Sequence, residues 1–218
     1  MISADELKDR QRAIRDQFAD KEFGIRVHRA ISWIRRAEQE ADDPDAQFIF
    51  LWIGFNSLYG RKSEYGSTAS ELYLMKKRFH DIVGFDVEKR IYNAIWVELW
   101  DPCRNLLDNE YAYEFRWRWE DGDPSAADWE ERFEKDKKKV HRGLQNGDAA
   151  QVLVTLFQRL YCVRNQLIHG NSTYGGDRNR SQIGDGAKIL ARLLPLVVDV
   201  MMVNHAHDWG RIQYPPAG

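Results

Sequence analysis

A chain of 218 residues and 25.6 kDa can build one good core, or one core with a small helical appendage, but not two large domains. With 43% hydrophobic and 30% charged residues it is excluded from the disordered and low-complexity classes. A formal net charge of -2 and a pI near 6.3 supply no global attraction for nucleic acid, so any such binding must come from a local patch.

In chain order, helix signals dominate. The N-terminus "MISADELKDRQ" lacks an apolar signal core, and its "SADE" pairs Ser3 with Glu6 as a capping box. "TASE" repeats the device with Thr68 and Glu71, and "NGDAAQ" puts Asp148 where an N-cap belongs. Between such signals helices are predicted at about residues 4–20, 25–41, 45–59, 69–82, 86–107, 126–145, 149–169 and 182–205. The fold class is therefore all-α, taken as a single domain over residues 1–218.

The third helix, "FIFLWIGFNSLYG", is apolar nearly all round and reads as a central core helix in which Asn56 is held by a hydrogen bond. Its apolar run is far too short to cross a bilayer, and the expectation is a cytoplasmic protein without a membrane span. Cys103 and Cys162 sit in apolar helical contexts, as suits buried reduced thiols.

In "YAYEFRWRW" the aromatics Tyr111, Tyr113, Phe115, Trp117 and Trp119 alternate with other residues, which is the strand period, and no second strand follows. Residues 108–125 are accordingly expected to form an insertion, either a hairpin arm or an irregular loop. Arg116 and Arg118 lie between these aromatics, a pattern that can stack bases, against the plainer reading that the rings pack on the body.

"EERFEKDKKKVHRG" is lysine-rich, yet Glu131 with Lys135 and Glu134 with Lys138 are favourable four-residue pairs, so a solvated charged face is the reading there. The last helix carries Ile183, Ala187, Leu190, Leu194, Val197, Val198, Met201 and Met202 on one stripe with Pro195 inside it, where a kink is expected. An extended tail over residues 206–218 follows, anchored by Trp209 and Tyr214. His205 and His207 have no further ligand nearby in sequence, and no metal or other cofactor is assigned.

The stretch that carries chemistry is "YCVRNQLIHGNS". Taking Leu153 as the centre of an apolar stripe and advancing about 100° per residue, Arg164 lands near the middle of that stripe. His169 follows about 140° further round, at a helix end marked by Gly170. Arg164 can instead snorkel or meet a buried carboxylate, and His169 can simply complement the helix dipole. The loop "GNSTYGGDRNR" places Arg178 and Arg180 within reach of a phosphate, but it lacks the lysine and helix context of a P-loop.

The spacing in "RNQLIHG" resembles the signature of the HEPN superfamily, an arginine separated from a histidine by four to six residues, with a polar residue such as Asn165 after the arginine. "FIFLWIGFNSLYG" upstream and "DGAKILARLLPLVVDVMM" downstream also resemble bacterial HEPN-domain proteins, so the likeness covers most of the chain. The resemblance implies a helical bundle that dimerises, often a metal-independent endoribonuclease of toxin or antiviral systems, in some members a non-catalytic binding module. It implies RNA as substrate and an antitoxin or nucleotidyltransferase-like partner.

Carried onto this chain, the catalytic residues are Arg164, His169 and Asn165; the residue pattern itself adds Arg178, Arg180, Arg116 and Arg118 as substrate-binding candidates. An imidazole can serve as base or acid near neutrality, and a planar guanidinium suits the charge on a phosphorane. One chain offers one histidine in the motif, so a two-fold dimer is expected to bring two copies to one cleft.

Overall fold

Ser3 starts the first helix as its spacing requires: its hydroxyl accepts the Glu6 N–H at 3.2 Å, while the Glu6 carboxylate accepts the Ser3 N–H at 2.7 Å. The computed structural model describes residues 2–18, 20–59, 71–177 and 179–212, and these hold ten α-helices and no strand. They are α1 Ala4–Ile14, α2 Lys21–Glu38, α3 Pro44–Tyr59, α4 Glu71–Phe85, α5 Arg90–Asn93, α6 Trp100–Leu107, α7 Glu114–Glu120, α8 Trp129–Asn146, α9 Ala149–Ile168 and α10 Arg180–Val203. No helix among the described residues is long and apolar enough to cross a membrane. Thr68 of the second expected capping box, Arg178 and Tyr214 lie outside the described residues.

The chain divides into two compact units, Met1–Ile91 with Leu190–Gly218, and Tyr92–Ile189. In the first, α2 packs on α1 and α3. Its core includes Leu7, Phe23, Ile31, Phe48, Leu51, Phe55 and Phe79. Asn56 is exposed rather than held inside α3; facing water, its amide needs no internal partner. Arg26 is fully buried and donates to the carbonyls of Leu58 and, at 2.9 Å, Gly210. Asp199 receives Arg10 at 2.7 Å and Arg90 at 2.5 Å. Trp209 anchors the tail as expected, buried with its indole N–H on the Asn204 carbonyl and the Arg78 guanidinium 5.1 Å over its ring. The apolar stripe of α10 is buried from Ile183 to Met202.

The second unit departs from expectation in two places. One helix was expected over about 86–107, but α5 gives way to a π-helical stretch, Ala94–Glu98, and α6 starts afresh at Trp100. Pro102 accounts for the break: it has no N–H for the Glu98 carbonyl, and its ring would collide with that carbonyl in a continuous helix. The ladder slips by one residue, so the Leu99 N–H bonds to Ala94 at 2.9 Å.

The aromatic segment forms neither a hairpin nor a structureless loop. It folds as 3-10 turns at Glu110–Ala112 and Pro124–Ala126 around α7. Tyr113 is buried with Trp129 and Phe133 of α8, and Phe115 packs against that cluster. Trp117 instead donates its indole N–H to the Tyr111 carbonyl at 2.8 Å, and Trp119 stays half exposed. Helices α8 and α9 then pack side by side, α9 starting on Asp148, which accepts the Gln151 N–H at 3.0 Å.

Candidate active site

Helix α9 is buried on most of its circumference from Ala149 to Phe157, then emerges toward its C-terminus. The arginine it buries is Arg159, 2% exposed, with its guanidinium 4.4 Å over the Tyr113 ring and 5.2 Å over Phe133. Burial pushes the Arg159 pKa down, opposed by Asp136 and the Tyr113 hydroxyl, and its Nε and Nη2 have no hydrogen-bond partner among the described residues. The helical wheel missed it, because Arg159, six residues after Leu153, falls about 120° from the centre of that stripe.

Arg164 is half-buried rather than central to the core. Its Nη1 donates to the Asn165 side-chain carbonyl at 2.9 Å, its guanidinium carbon lies 5.8 Å over the Tyr161 ring, and its Nε is buried with no hydrogen-bond partner among the described residues. Asn165 therefore holds the arginine with its side chain, while its main-chain carbonyl accepts the His169 N–H at 3.0 Å as a backbone bond of the last helical turn. His169 is the exposed C-cap residue of α9. Gly170 follows at φ 75°, the left-handed conformation that ends the helix, and the Asn171 N–H closes the turn on the Gln166 carbonyl at 2.9 Å. Tyr161 and Ile168, 42% and 50% exposed, stand two turns apart on the same face as Arg164.

The other candidate residues are not gathered there. Arg116 meets Glu110 at 2.8 Å and Glu120 at 3.4 Å, with Tyr111 and Trp129 against its guanidinium. Arg118 is paired with Asp123 at 2.6 Å. Arg180 donates to the Gly176 carbonyl at 3.1 Å. The charges are thus committed to protein acceptors. Likewise Lys135 pairs with Glu131 as expected, and Glu134 takes Lys137 rather than Lys138.

A second group had no sequence signal. His141 Nε2 lies 2.7 Å from Asp108 Oδ1, joining residues 33 positions apart, at a cleft of about 590 Å³ that Asp101, Arg104, Asp108, Glu110 and Tyr111 help to line. Three carboxylates against one arginine make this cleft a poor seat for a polyanion. Cys103 and Cys162 are buried free thiols, and burial lifts them to about 12 and about 11, which leaves them without nucleophilic character.

No protein-family model, curated protein or solved structure matches this chain. The chemistry available at the end of α9 is one exposed imidazole, one guanidinium preset by an amide, and an apolar rim of Tyr161 and Ile168.

Proposed function

We propose that this protein is a metal-independent endoribonuclease of the HEPN type, in which two protomers contribute Arg164 and His169 to one RNA-cleaving site. One His169 takes the proton of a ribose 2'-hydroxyl, and the 2'-oxygen attacks the adjacent phosphorus. The P–O5' bond breaks, the partner's His169 protonates the leaving 5'-oxygen, and the products carry a 2',3'-cyclic phosphate and a 5'-hydroxyl. Arg164 offers its planar N–H groups to the phosphorane oxygens, and Asn165 holds that guanidinium ready.

The observation that carries the reading is the exposed His169 closing the helix that carries Arg164, in the spacing of "RNQLIHG". The rim of Tyr161 and Ile168 favours a protein partner on the same face, as a two-fold dimer needs. In the cell we assign it the role of a toxin or antiviral effector, restrained by an antitoxin or nucleotidyltransferase-like partner.

A second reading is a non-catalytic module that binds RNA, a nucleotide or a partner protein. It is favoured by the engagement of Arg116, Arg118 and Arg180, three of the candidate RNA-binding cations, with protein acceptors. End-labelled RNA in the presence of a chelator separates the two. Cleavage by the wild type, lost by about a hundredfold or more in His169→Ala and Arg164→Ala, supports the nuclease. Salt-dependent RNA binding without cleavage supports the binding module, and full activity in His169→Ala removes the acid/base mechanism.

A further inference from the structure

Between Arg164 and His169 lies Gln166, a residue the nuclease chemistry does not use. It is 5% exposed, and a buried amide is costly unless each of its polar atoms is matched. Here both ends are matched by distant segments. Nε2 donates to the Tyr111 carbonyl at 2.6 Å and lies 3.5 Å from Cys162 Sγ, while Oε1 accepts from Asn179 Nδ2 at 2.9 Å. Asn179 Nδ2 also lies 3.3 Å from Ser172 Oγ.

Asn179 is itself unusual, with φ at 61°, a left-handed conformation that asparagine tolerates better than most residues with a side chain. Its backbone carbonyl accepts the Ile183 N–H at 3.0 Å in the first turn of α10. A single amide pair therefore fixes both ends of the 170–179 loop: where it leaves the last turn of α9 and where it enters α10. The Tyr111 carbonyl, which also receives the Trp117 indole, ties the same turn to the aromatic segment. Gln166 precedes His169 by three residues, so the two are neighbours on the helix surface.

We propose that Gln166 and Asn179 are positioning residues that fix the last turn of α9 and with it the imidazole of His169, and that they set the rate of RNA cleavage without touching RNA. The inference rests on the reading of Arg164 and His169 as the reacting pair. A leucine at Gln166 would pack as well but would leave the turn free to slide against Tyr111 and the loop, and an ångström of misplacement costs about a hundredfold in a well-oriented reaction.

Two variants test it. Gln166→Leu removes both bonds at similar volume; Asn179→Gly removes the amide while keeping the left-handed backbone accessible, and carries the test if the first variant fails to fold. Each is expected to lower kcat about tenfold to a hundredfold with KM within about twofold of the wild type. The His169 ring signal in an imidazole carbon–proton spectrum, identified by its loss in His169→Gln, is expected to shift and broaden in Asn179→Gly. Wild-type kcat in the folded variants, or an unmoved His169 signal, overturns the proposal. Should the wild type cleave no RNA, the failure belongs to the proposed function, and the ring signal alone decides this inference.

Discussion

Arg159 and Arg164 lie five positions apart on α9 in very different surroundings. Arg159 is sealed between aromatic rings with two nitrogens unmatched among the described residues, an arrangement that a neutral side chain of similar length can replace. Arg159→Met should leave unfolding free energy within about 1 kcal/mol of the wild type, whereas Arg159→Ala should cost about 3 kcal/mol through the cavity it leaves. Urea denaturation of the two variants checks this; a costlier Met than Ala would refute it. Asp123 gives a pH signature. The Ser125 hydroxyl and then Arg118 hold its carboxyl down to about 2, so its contribution is present above its unfolded value near 4 and disappears as pH falls through about 2. Thermal midpoints of wild type and Asp123→Asn should differ at pH 7 and converge near pH 2. The spacing of Arg164 and His169 was legible in the sequence because it is local. Gln166, Asn179 and the Asp108–His141 pair were not, because their partners arrive from segments 13 to 55 positions away.

At the scale of elements, helix ends decide more than helix interiors. Gly147 and Gly170 both adopt left-handed backbone, at φ 69° and 75°. A Cβ at Gly170 would meet nothing within 4 Å, whereas one at Gly147 would stand 3.1 Å from the Tyr92 ring. Gly170→Ala should therefore cost about 1 kcal/mol of backbone strain, and Gly147→Ala more, because the Tyr92 ring, stacked on Trp96, must also move. Chemical denaturation of both variants reads the order, and equal losses would contradict it. The aromatic segment shows why its period misled. Residues two apart on a helix differ by about 200°, so alternating aromatics on a helix as short as α7 fall on both sides of it, Phe115 against the Tyr113 cluster and Trp117 on the Tyr111 carbonyl, and need no sheet. The break before α6 lies at Pro102, inside the one helix predicted over about 86–107.

For the whole molecule, class and helix order were readable from periodicity and capping, since both depend on neighbours in sequence. What one chain can do with a single motif histidine depends on whether a second copy faces it, which no local pattern encodes. The account requires that copy, because it assigns the base and the acid to two different imidazoles. Tyr161 and Ile168 belong to the face that would meet the partner, so replacing both with serine should weaken the dimer and the cleavage together. The most direct measurement follows sedimentation velocity and RNA cleavage over one dilution series of the wild type and this double variant. The account predicts that cleavage per protomer tracks the dimer fraction in both proteins and vanishes in monomer. Undiminished cleavage by a purely monomeric sample would contradict it.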